Sequence, residues 1–163
     1  MQRHSTALHR VLVGGAVLLA CAAALVVAQH TRAQTDRTAE VRQVVATYLS
    51  SLMSGDGKTA CAQLTPSARG QLIEGGSAAG FGDSCQSVAT TVKAYVDGLI
   101  AEAKSPAQAA EMRRMIERPT VEIESIGDDS AVARVSETVG HPVELSRTDS
   151  GWRISRMSLP LAD

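Results

Sequence analysis

The chain has 163 residues, 44% of them hydrophobic and 20% charged, with a formal net charge of -1. That balance is the composition of a globular protein and excludes a disordered polyelectrolyte. One Trp, two Tyr, one Phe and no basic excess also exclude a nucleic-acid binder, which needs a phosphate-neutralising stripe and stacking platforms.

The first predicted element is apolar. "VLVGGAVLLACAAALVVA", residues 11–28, holds no charge and follows Arg3, Arg10 and two histidines. This asymmetry predicts residues 1–10 on the cytoplasmic side and the remainder outside. At about 1.5 Å per residue the run reaches roughly 27 Å, near the lower limit for crossing a bilayer. "LLAC" ending at Cys21 resembles a lipidation signal, yet seven apolar residues follow the cysteine where a lipoprotein leads into a polar tether. The longer run favours an uncleaved anchor with Cys21 as a small apolar residue. A cleaved secretory peptide and a lipidated Cys21 are the alternatives.

A linker is expected over residues 29–36, then one domain over 37–158 and a tail over 159–163. The chain beyond residue 35 suffices for a single hydrophobic core, and no internal repeat divides it. Residues 1–35 carry three arginines and no acid, so the formal charge of -1 becomes -4 for the domain.

"RTAEVRQVVATYLSSLMSG" sets Val41, Val44, Val45, Tyr48, Leu49, Leu52 and Met53 at steps of three and four, the apolar face of a helix. Asp36 is expected to cap it and Gly55-Asp56-Gly57 to end it. "KTACAQL" reads as a short helix. Thr65-Pro66 supplies a cap and first-turn proline for another, and "GGSAAGFG" reads as a flexible loop. Asp83 or Ser84 opens a long helix with Cys85, Val88, Val92, Tyr95, Val96, Leu99 and Ile100 on one face. Ser105-Pro106 restarts a helix that Pro119 ends.

The period then changes. "TVEIESI", "SAVARVSETV", "PVELSRT" and "GWRISRMSL" alternate apolar with polar residues and are separated by turn-forming "GDD", "GH" and "TDSG". They read as four antiparallel strands in a meander, each with one buried face. Helices first and strands after give an α+β domain with helices on one face of a curved sheet.

Cys61 and Cys85 are an even pair in a domain expected outside the cytoplasm, which reads as a disulfide; two separate thiols are the alternative. Closing that loop contributes about 3.5 kcal/mol in the loop-entropy picture. Zinc wants four ligands, and no histidine lies near either cysteine.

The order of an amphipathic helix ending "SGDGKTACAQLTPSARGQL", a second cysteine opening a long helix, then "IGDDSAVARVSET" and "HPVELSRTDSGWRIS" resembles the NTF2-like superfamily. It is most similar to membrane-anchored extracytoplasmic members from high-GC bacteria. The resemblance spans roughly residues 37–158. It implies a cone, a curved sheet wrapped over helices with a cavity at its wide end, and often a homodimer through the sheet face. Some relatives are isomerases or dehydratases, and many others are non-catalytic modules.

Proton abstraction beside a carbonyl needs a base and an oxyanion stabiliser within reach. Tyr48 is the residue that could line such a cavity as donor, with Tyr95 second, although both sit in apolar repeats that suit a core. His141 beside Pro142 reads as a turn residue. Glu122, Glu124, Asp128 and Asp129 read as solvated, as do Arg113, Arg114 and Arg118, whose alternative is contact with anionic lipid or cell-wall polymer. No phosphate loop, nucleophile elbow or metalloprotease signature is present, and "GDGK" lacks phosphate-loop spacing. The expectation is a membrane-tethered binding module for an unknown small ligand or protein, without catalytic residues, metal or cofactor. An isomerase- or dehydratase-like enzyme and a structural subunit of an envelope complex are the competing readings.

Overall fold

A computed structural model describes residues 32–135 and 142–157. The predicted span at 11–28, Cys21, His141, the end of the predicted second strand and the tail lie outside these residues. Among the described residues no helix is long and apolar enough to cross a membrane.

The first helix, α1, occupies residues 32–54. Residues 32–36 are already helical, so Asp36 lies within the helix and does not cap its start as the sequence suggests. The described residues from Thr38 onward form one packed unit, within which all contacts below fall. Val41, Val45, Tyr48, Leu49 and Leu52 are buried, as the three-four spacing requires. Gly55 closes α1 with a φ of 83°, a left-handed conformation that glycine adopts without a Cβ clash.

Helices α2 (Gly57–Ala62), α3 (Pro66–Ala78), α4 (Cys85–Ala101) and α5 (Pro106–Glu117) follow. Each begins on a side chain that accepts a backbone N–H: Asp56, Thr65, Ser84 and Ser105. Ser84 and Ser87 cap reciprocally, the Ser87 N–H donating to Ser84 Oγ at 3.2 Å and the Ser84 N–H to Ser87 Oγ at 3.0 Å. Residues 75–78, expected in a loop, are helical instead. Gly76 is buried there, and a Cβ on it would lie 2.5 Å from Val88 Cγ2. Close packing of α3 on α4 thus outweighs the poor helix propensity of glycine.

Strands β1 (Val121–Ile126), β2 (Ser130–Val135), β3 (Pro142–Thr148) and β4 (Gly151–Met157) form one antiparallel sheet in the order of the chain. The register aligns the apolar positions: Val121 opposite Val135, Ile123 and Val143 on either side of Ala133, and Leu145 opposite Ile154. Register shifts between Ile123 and Ser125, and between Glu144 and Leu145, bend the sheet locally. The inner face and the helices share one core in which Trp152, Leu72, Leu145 and Ile154 are nearly inaccessible. Each such side chain contributes about 1.5–3 kcal/mol by leaving water. The outer face is polar: the Arg134 guanidinium donates to Glu124 at 2.6 Å, and Arg156 pairs with Glu144 at 3.5 Å.

The β4 edge does not stay open at its centre. The Ile154 N–H donates to the Gln63 carbonyl, and the Thr65 N–H to the Ile154 carbonyl, both at 2.9 Å. The α2–α3 connection therefore covers the edge, as sheet proteins commonly need.

Candidate functional site

The sequence-predicted cavity residues separate. Tyr48 is 4% exposed within the core, and its hydroxyl donates to the Met157 sulfur at 3.1 Å. Burial pushes its phenol pKa upward, because the phenolate would lose its hydration. Tyr95 is not the core residue that its apolar repeat suggests, since it is 59% exposed. Leu99, one turn later, is 39% exposed. The apolar stripe of α4 runs past the end of the core, so Val88 is buried while these positions, on the same side of the helix, meet water.

Cys61 and Cys85 are disulfide-bonded with Cα atoms 6.2 Å apart, within the usual range. The bond joins α2 to the first residue of α4. Two further contacts tighten the junction. A Cβ on Gly57 would lie 2.4 Å from the Cys85 carbonyl oxygen, so only glycine permits this approach. Gln86 Nε2 donates to the Gly55 carbonyl at 2.9 Å.

Glu122, Glu124, Asp128 and Asp129 are exposed. Arg113, Arg114 and Arg118 are exposed as well, with Arg114 paired to Glu111 at 3.3 Å. Among the described residues no three His, Cys, Asp or Glu side chains are grouped so as to hold a metal. Ser51 is the buried polar residue of the core region, and Trp152 Nε1 is a buried donor without an acceptor.

What the helices do build is an open groove of about 450 Å³ between the end of α1, the second half of α4 and the end of α5. Met53, Val96, Ile100 and Ile116 give it an apolar floor, each half-buried. Its charges come in two pairs at i,i+4: Lys93 with Asp97 on α4, and Arg113 with Glu117 on α5. Lys93 and Asp97 are ion-paired with each other. Arg113 and Glu117 have no ion-pair partner among the described residues. From α1 come Ser50, Ser51 and Ser54. Ser50 Oγ donates to the Thr47 carbonyl and Ser54 Oγ to the Ser51 carbonyl, whereas the Ser51 hydroxyl, in a residue only 8% exposed, makes no hydrogen bond to another described residue.

Of these groove residues, the sequence places Met53, Val96 and Ile100 on apolar helix faces, and among the polar ones it singles out Arg113, there as part of a solvated or lipid-facing cluster. Ser51, Asp97 and Glu117 carry no motif. The available signal is the i,i+4 pairing of opposite charges beside apolar positions, which occurs on many solvated helices.

Comparison with protein-family models, with curated proteins and with solved structures finds no match. The class defined at this point is an α+β domain with helices packed on a four-stranded antiparallel meander, stapled by one disulfide.

Proposed function

We propose that the protein is a membrane-tethered, extracytoplasmic binding or protein-interaction module of NTF2-like fold, held by its N-terminal apolar helix. It works without a catalytic constellation or cofactor. The observation that carries this reading is the use already made of Tyr48: its hydroxyl is spent on the Met157 sulfur inside an apolar core. An isomerase or dehydratase would need that hydroxyl turned to a substrate, with a carboxylate facing it. The disulfide between α2 and α4 supports an oxidising compartment.

The recognition surface in this proposal is the α1–α4–α5 groove. The sheet face is the alternative surface for self-association, but its Glu124–Arg134 and Glu144–Arg156 pairs already satisfy one another. Small-molecule and peptide sites combine an apolar lining with a few unsatisfied polar groups, which is the composition of the groove.

The test is photo-cross-linking in the native envelope from two positions, Val96 in the groove and Val132 on the outer sheet face. The proposal predicts a discrete adduct from position 96 that Ile116→Arg abolishes, and none from position 132. Adducts from position 132 alone would transfer the function to the sheet face. Turnover of a ketosteroid-like substrate, lost in Tyr48→Phe, would replace the binding reading by the enzymatic one.

A further inference from the structure

The groove contains three polar groups that have no partner among the described residues, and they are of three kinds. Arg113 offers a guanidinium, Glu117 a carboxylate, and Ser51 a hydroxyl that both donates and accepts. Arg113 and Glu117 are one turn apart on α5, which sets their Cβ atoms about 5–6 Å from each other. The other two charges of the groove neutralise one another across Lys93 and Asp97. An apolar anion would satisfy Arg113 and leave Glu117 repelling it, and an apolar cation would do the reverse. A ligand carrying both signs satisfies both.

Resting on the reading of the groove as the recognition surface, we propose that it binds a small apolar zwitterion, of the class of a hydrophobic dipeptide with free termini. The ligand's carboxylate pairs with Arg113 and its ammonium with Glu117. Its side chains lie on Met53, Val96, Ile100 and Ile116, and its central amide meets the Ser51 hydroxyl. The scale agrees. A dipeptide's termini are separated by one Cα step of about 3.8 Å plus the flanking bonds, comparable to the spacing of the two α5 charges. The groove volume of about 450 Å³ falls within the range of small-ligand sites. Ser51 is the strongest single indication. A serine within a helix ordinarily returns its hydroxyl to a carbonyl of the preceding turn, as Ser50 and Ser54 do, and this one does not.

The experiment is a methyl NMR titration of the full chain in detergent micelles with Leu-Leu, its N-acetyl form and its C-terminal amide. We expect saturable shifts at the Met53, Val96, Ile100 and Ile116 methyls, with a Kd on the order of 1 mM for so small and open a site. Each capped form binds about threefold more weakly, since exposed charge pairs contribute little apiece. Arg113→Gln removes the preference for the free carboxylate only, and Glu117→Gln the preference for the free amine only. Both residues are exposed, so these substitutions leave folding intact. Ser51→Ala weakens all three ligands alike. Equal binding of free and capped forms, shifts elsewhere, or no shift about tenfold above that Kd would overturn the inference. If the dipeptide fails while the cross-link from Val96 persists, the binding-module reading stands and this ligand class falls. Loss of both would remove the groove from consideration.

Discussion

The two halves of α4 contrast sharply. From Cys85 to Val92 the helix is fixed on three sides: the disulfide to Cys61, the backbone of Gly57 against the Cys85 carbonyl, and Gly76 against Val88. From Lys93 to Ala101 it has Tyr95 and Leu99 in water, and its neighbour α5 has no buried residue. One helix therefore serves as a staple and then as a wall of the open groove. Apolar periodicity states which side of a helix turns inward, but the extent of the core beneath it states how far that matters.

The sharpest way to break the contrast is to release the staple. Cys61→Ala with Cys85→Ala is expected to cost about 3.5 kcal/mol in chemical denaturation, because the unfolded chain regains the loop freedom that the bond removes. Stability within about 0.5 kcal/mol of the parent would show that the remaining contacts hold the first half of α4 alone. Gly57→Ala attacks the same junction sterically. Its Cβ would meet backbone atoms of Cys85 and Gln86, which cannot swing aside like a side chain, so a loss of about 3 kcal/mol is expected.

A smaller effect tests the closed interior. Burial raises the Tyr48 pKa, so the folded state keeps a proton that the unfolded chain releases. This contribution is complete below the ordinary tyrosine pKa of about 10 and is lost as pH rises above it, by about 1.4 kcal/mol per pH unit. Tyr48→Phe should remove that part of the alkaline slope in denaturation curves between about pH 9 and 11.5. An unchanged slope would mean that the Tyr48 phenol reaches water. The smallest effect belongs to the far half of α4: Tyr95→Gln and Leu99→Gln should each change stability by less than about 0.5 kcal/mol, as exposed positions do.

These particulars also show what the sequence makes legible. The four strands follow from period-two alternation and turn chemistry, and the register pairs the same residues that the pattern selects, Ala133 with Ile123 and Val143 for example. Thr65-Pro66 and Ser105-Pro106 mark helix starts because cap and first-turn proline act locally. The pairing of Cys61 with Cys85 follows from counting. Residues 75–78 were illegible as helix for a tertiary reason, since Gly76 is needed by Val88 across a helix interface and not by its own neighbours. Tyr95 was illegible because its repeat continues beyond the core. The groove is harder still. Ser51, Val96 and Ile116 come from three helices whose approach no local pattern encodes, and the unused hydroxyl of Ser51 is visible only once its neighbours' bonds are known.

That α4 is core for its first half and wall of an open groove for its second is best checked by hydrogen exchange along the helix in the full chain. Amides from Val88 to Val92 are expected to exchange only through global unfolding, while those from Asp97 to Ala101 and throughout α5 exchange through local opening of lower free energy. Uniform protection across α4 and α5 would contradict it, and would make the second half of the helix part of the same cooperative core.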